Sequence, residues 1–222
     1  MVTTEPIGND TTTVAVTGSA CATASPDIAR LTIGVSETHP TVADAVDALA
    51  RQSAALTEAL HNRGVAGPDL VTTGLSVHPQ TQWVDGGRQE TTGFTASTSF
   101  RAVVRDLTPG AAHSPAAVIT ACVAAGGDAI RLDSLEFDLE DRTELTVRAR
   151  ESAWAAALSK ARQFADLAQK NLVDVLEITE GVDQISPVRG LVSAARAVST
   201  PIAVEHGEIE ETISVRVRWS MA

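Results

Sequence analysis

Glu136, Asp138 and Glu140 are the residues whose type and spacing come nearest to chemistry in this chain. At two-residue intervals on a strand they project from one face, with Leu135, Phe137 and Leu139 on the other. Three aligned carboxylates are weak candidates for oxygen ligands to a divalent cation. The plainer expectation is a solvated row facing arginines on neighbouring strands, either Arg216 and Arg218 or Arg101 and Arg105. The five histidines, His39, His61, His78, His113 and His206, show no H-x-H or H-E-x-x-H spacing. Cys21 and Cys122 have no histidine close in sequence, so neither reads as a catalytic thiol. A disulfide between them is one option, and two buried free thiols is the expected one. G-x-S-x-G, P-loop and G-x-G-x-x-G motifs are missing from the sequence. Catalytic residues and cofactors are therefore both expected to be none.

The second candidate is a surface for recognition. Residues 70–84 and 91–107 read as two long strands around the turn Asp85-Gly86-Gly87-Arg88. The tip is polar on both faces through Gln80, Thr81, Gln82, Gln89, Glu90, Thr91 and Thr92, and Trp83 stands among them. A polar two-stranded arm cannot bury itself, so it projects into solvent or packs on another subunit. Trp83, Gln82, Gly86, Gly87 and Phe94 are the candidate interface residues, with Trp83 either an anchor or a cover for its own sheet. Trp154 and Trp219 lie on apolar stripes and read as core.

The elements that must position these residues follow from periodicity. Residues 1–12 read as a flexible lead-in, 13–17 as a strand broken by Gly18, and 28–35 as a second strand. Thr41, with Asp44 as capping-box partner, opens a helix whose stripe is Val42, Val46, Leu49, Ser53, Leu56 and Leu60, stopped by Gly64. Ser114-Pro115 opens a helix over 114–125. A strand follows over 129–139, with clean alternation only from Leu135. Asp141 and Glu144 open the longest helix, to about Lys170, with a stripe of Val147, Trp154, Leu158, Ala161, Ala165 and Ala168. Strands at 173–179 and 208–221 flank a long loop at 182–207. The last strand alternates Ile213, Val215, Val217 and Trp219 with Ser214, Arg216 and Arg218. The expected fold is α+β: long, mostly antiparallel sheets with three helices packed on one side, in the order ββαββαβαββ. Residues 28–139 form a ferredoxin-like βαββαβ section. Residues 13–222 are read as a single domain.

Composition limits function further. The chain has 222 residues, 17 basic against 28 acidic, and a formal charge of −11. That balance opposes binding to nucleic acid and to anionic membranes. No window approaches the ~18 consecutive apolar residues of a membrane span. Aromatics are 3% with no tyrosine, so the core must be built from Ala, Val, Leu and Ile. The N-terminal residues carry neither a basic n-region nor an apolar h-region, and the expected location is cytoplasmic.

In this order the segments resemble the SIMPL-domain family, a bacterial domain of unknown function. The resemblance runs through Val16-Thr17-Gly18, Ser25-Pro26-Asp27-Ile28-Ala29, the helix from Thr41 to Ala50, and Gly93-Phe94-Thr95-Ala96 leading to Val103-Val104-Arg105-Asp106-Leu107. It continues through Gly126-Gly127-Asp128-Ala129-Ile130, Leu135-Glu136-Phe137, the helix from Ala149-Arg150 to Ala168, Thr200-Pro201-Ile202 and Gly207-Glu208. Phe94 and Asp128 stand where the family often has Tyr or Asn. The resemblance implies long strands and assembly into higher oligomers, sometimes rings. It also implies frequent export and, for some members, an association with oxidative-stress tolerance. It carries over no catalytic residue. The expected function is a non-enzymatic homo-oligomer. The alternative is a small-molecule or divalent-metal binder using the acidic strand face or a cleft under the 182–207 loop. An enzyme of unrecognised type ranks third.

Overall fold

The structure, a computed structural model, describes residues 12–84, 87–181 and 207–222. Its strands and helices follow as β1 (Thr13–Ala24), β2 (Ile28–His39), α1 (Val42–His61), β3 (Leu70–Val84) and β4 (Arg88–Val104). Then come α2 (Pro115–Gly126), β5 (Ile130–Asp138), α3 (Thr143–Leu167), β6 (Leu172–Gly181) and β7 (Ile209–Met221). The expected α+β order is therefore the observed one. The expected loop at 182–207 lies, but for Gly207, outside the described residues, as does the lead-in but for Thr12. Contacts gather in two compact units, one holding β2 to β5 with α1 and α2, the other β1, α3, β6 and β7.

In the first unit four antiparallel strands run in the order β3-β4-β2-β5. That is the strand order of the ferredoxin-like split βαβ arrangement, with β2 and β4 central. Alternation along β2 sends Ala29, Leu31, Ile33 and Val35 into the core, where they meet Ala96, Phe100, Ala102 and Val104 of β4. Leu49, Leu56 and Leu60 of α1 and Val118, Ile119 and Cys122 of α2 close the same core. Both helices therefore lie on one face of this sheet.

The start of α1 follows its sequence closely. The Thr41 hydroxyl accepts the Asp44 N–H at 3.1 Å and donates to the Asp44 carboxylate at 2.7 Å, satisfying a first-turn donor. At the other end Gly64 takes a φ of 79°, which lets the Val65 N–H return to the Leu60 carbonyl at 3.0 Å. The buried stripe differs from expectation in its first turn. Ala45 and Ala48 are buried, whereas Val42 and Val46 are substantially exposed, because small residues face the sheet where α1 begins.

The irregular alternation of β5 also has a physical cause. Its pairing with β2 shifts register between Thr32 and Ile33, so Leu132 pairs with Ile33 and Leu135 with Leu31. This bulge resets the phase and keeps Ile130, Leu132, Leu135 and Phe137 on the side of the β2 core residues.

In the second unit the sheet order is β1-β7-β6, antiparallel throughout, and α3 lies across β1 and β7. The expected break at Gly18 does not occur. β1 continues to Ala24, and Gly18 pairs with Val215. Gly18 is there because α3 sits directly on it: an added Cβ would lie 2.1 Å from the Ala153 carbonyl oxygen and 2.3 Å from the Ala157 nitrogen. The buried stripe of α3 is accordingly an i, i+4 row, Leu145, Ala149, Ala153, Ala157, Ala161 and Ala165. The expected stripe is corrected at Val147 and Ala168, which are exposed, and at Trp154 and Leu158, which flank the row. Trp154 leans on Trp219 with ring centroids 5.8 Å apart, and Trp219 is core as expected. Asp141 does not form the expected capping box with Glu144; its carboxylate accepts the Thr143 N–H at 2.8 Å.

Candidate interaction surface

β2 ends its pairing with β4 at His39 opposite Phe94. Beyond that point β3 and β4 continue together, Gln80 opposite Gly93, Thr81 opposite Thr91 and Trp83 opposite Gln89. The hairpin thus becomes a two-stranded arm that reaches about 17 Å beyond the third strand at ~3.3 Å per residue. Polar cross-strand bonds hold it. Gln89 donates its amide to the Thr81 hydroxyl at 2.6 Å, Gln80 to the Thr95 hydroxyl at 2.8 Å, and the Thr92 hydroxyl to the Gln80 carbonyl at 3.3 Å. Arg88 pairs with Glu90 on the same strand.

Trp83 stands on this arm with 70% of its surface exposed. Gln82 lies beside it, opposite Glu90, and is exposed as well. Gly87 has a φ of 73°, the left-handed conformation a tight turn asks of glycine. Gly86 lies outside the described residues. Phe94 sits at the base of the arm, packed against the core of its unit. Of the sequence candidates, then, the structure brings Trp83, Gln82 and Gly87 together and places Phe94 apart from them.

A groove that the sequence reading missed lies on the same unit. α1 packs over β2 and β4, and no helix among the described residues covers the neighbouring face of β3. The result is a cleft of about 630 Å³ between α1 and the β3–β4 pair. Its walls include Val46, Leu49, Ala50, Ala54, Leu75 and Phe100. Leu75 is 69% exposed there. The Thr98 hydroxyl donates to the Gly74 carbonyl at 2.6 Å and ties down the bulge that puts Leu75 in position. The available signal was the row of small residues Ala50, Ser53, Ala54 and Thr57, at i, i+3, i+4 and i+7 on α1.

The three acidic candidates do not converge. Glu136 lies exposed opposite Arg30, and Asp138 is 3.4 Å from the Arg30 guanidinium. Glu140 lies past the end of β5 and pairs with Arg105, which also holds Asp69 at 2.7 Å. Hydrogen bonds that Arg105 donates to Asp69 first and Glu140 second favour the charged guanidinium and raise its pKa. No group of three or more His, Cys, Asp or Glu side chains that could hold a metal occurs among the described residues. Arg218 pairs with Glu177 at 3.1 Å.

The cysteines are both free, and only Cys122 is buried as expected. Burial pushes its thiol up to about 11. Cys21 is exposed because Val16, Gly18 and Ala20 occupy the α3 side of β1, which turns Cys21 outward. Its thiol is also raised, chiefly by a hydrogen bond with Glu210.

The geometry so far defines an α+β protein with a ferredoxin-like unit, a projecting arm and an open groove. The chain matches, over residues 14–219, the family described as SIMPL, protein of unknown function (DUF541), and it belongs to that family. It is 31% identical to a 26 kDa periplasmic immunogenic protein of Brucella melitensis, over 92% of this chain and 82% of the relative. The protein of the same name in Brucella abortus has the same identity and coverage. Both relatives are named periplasmic, and this overturns the cytoplasmic expectation. An address is carried by targeting segments rather than by the folded part, whose composition says little about compartment. Among solved structures, AtUAH in complex with (S)-hydroxyglycine is 14% identical with a TM-score of 0.30, over 60% of this chain and 34% of that one. An amidase of the hydantoinase/carbamoylase family from Burkholderia phymatum is 18% identical with a TM-score of 0.26, over 53% of this chain and 30% of that one. The chain spans about a third of those solved chains, and likeness at this level carries no functional argument.

Proposed function

We propose that this chain is a non-enzymatic SIMPL-domain protein that assembles with copies of itself in the periplasm. The observation that carries the reading is Trp83, 70% exposed on an arm that no third strand among the described residues supports. A large aromatic in that position gains little from its own fold and much from a partner surface, and such residues anchor interfaces. The periplasmic location follows the names of the Brucella relatives. The link to oxidative-stress tolerance follows the family resemblance. A strain lacking the protein should then lose viability in peroxide relative to its parent.

Size-exclusion chromatography with light scattering at micromolar concentration tests the assembly. A multimer is expected, and a clean monomer overturns the reading. Calorimetry with divalent ions tests the competing reading, a binder using Glu136, Asp138 and Glu140. The pairing of Asp138 with Arg30 and of Glu140 with Arg105 argues against that reading, since each arginine already balances a carboxylate. No heat of binding is expected.

A further inference from the structure

We infer that the groove between α1 and β3 receives the Trp83 arm of a second copy, an inference that rests on the self-assembly reading above. Leu75 and Trp83 lie on one face of β3, since no bulge on that strand separates them and eight residues is an even interval. They are about 26 Å apart at ~3.3 Å per residue. Among the described residues a chain therefore carries an uncovered indole and an uncovered apolar cleft on the same face, too far apart to cover each other. A second copy brings the two together.

The groove suits that occupant. Its volume of about 630 Å³ and its lining of Val46, Leu49, Ala50, Ala54, Leu75 and Phe100 accept an apolar side chain of indole size. Glu58 is the formally charged residue of its lining, and the described part of the arm balances Arg88 with Glu90, so the arm brings no net charge to the groove. The free edge of β3 is a poorer docking site. Gly74, at a φ of 80°, forms a bulge in it, and Pro79 removes a backbone donor, two features that discourage addition of a strand. An indole buries roughly 150–250 Å², short of the ~800 Å² per partner of a standard interface. Residues 80–83 and 88–92 of the arm must then lie along α1 and supply the rest. Each copy has one arm and one groove, so the contact closes either reciprocally in a pair or head to tail in a ring.

The experiment uses the full chain, the arm variant Trp83→Ala and the groove variants Ala54→Trp and Ala50→Arg. All three sites are solvent-facing, and circular dichroism is to check that each variant folds. Light scattering should show an assembly for the unaltered chain and at least a tenfold rise in dissociation concentration for each variant. Mixing Trp83→Ala with Ala54→Trp should give a two-chain complex held by one arm in one groove, because the first keeps an intact groove and the second an intact arm. Recovery in the mixture supports arm-in-groove docking. Variants that keep the full mass, or a mixture that stays dissociated, overturn the docking while leaving self-assembly standing. An unaltered chain that is monomeric overturns the self-assembly reading itself.

Discussion

Gly18 and Ala153 are in backbone contact across the β1–α3 interface: a Cβ on Gly18 would lie 2.1 Å from the Ala153 carbonyl oxygen. The neighbouring obstacle is the Ala157 backbone nitrogen at 2.3 Å, so the obstruction is main chain and cannot rotate away. Gly18→Ala should therefore destabilise by about 1–3 kcal/mol or more, the range for overpacking a close-packed interior. Denaturant unfolding followed by circular dichroism measures it. An unchanged midpoint would show that α3 does not seat on β1 as described.

Arg150 binds Glu180 through two hydrogen bonds, at 2.6 and 3.0 Å. That hydrogen bonding holds the Glu180 carboxyl below its ordinary value. A depressed folded-state pKa contributes stability above the unfolded-state value, and the contribution disappears as pH falls through the folded one. Both groups are exposed, so the effect on stability is small. Arg150→Ala should move the Glu180 titration upward toward the ordinary glutamate range in a carbon-detected NMR experiment. No movement would dissociate the shift from Arg150.

The two thiols should differ in access before they differ in acidity. Cys122 is buried on α2 with its pKa pushed up to about 11, and Cys21 is exposed on β1. A disulfide-exchange reagent should titrate one thiol in the native protein and two in denaturant. Glu210→Gln should speed the reaction of Cys21 near neutral pH, because removing the carboxylate removes the largest cause of its raised pKa. Equal native reactivity of both thiols would contradict the packing of α2.

Copies of a chain with a formal charge of −11 repel one another. If an apolar anchor drives assembly, salt should strengthen it by screening that repulsion, whose range is ~10 Å at 0.1 M. Sedimentation at about 0.05 M and about 0.5 M salt measures the effect. Weaker association at high salt would assign the interface to ion pairs instead.

Legibility in the sequence followed the range of the forces involved. Thr41 and Asp44 announce the start of α1 because the capping hydrogen bond spans three residues. Trp83 could be picked out as an exposed residue of the arm because its neighbours there are polar. Periodicity alone points α3 inward through Val147, Trp154 and Leu158, whereas the buried face is the alanine row. The selection of the alanine row depends on Gly18, more than a hundred residues earlier. The α1–β3 groove went unread for a similar reason: small residues on a helix make a cleft only when the strand beneath lies beyond the helix's cover.

The elements, their order, and local patterns such as Ile213, Val215, Val217 and Trp219 on one side of β7 are legible from the residues alone. Periodicity and capping are set by neighbours along the chain and need no knowledge of the fold. Long-range packing sets that β1 pairs with β7, bringing Val16 opposite Val217, and that β3 takes a sheet edge beyond the reach of α1. Strand partners are chosen by hydrogen bonding and burial between distant segments. Those interactions also decide which apolar surfaces a single copy leaves open.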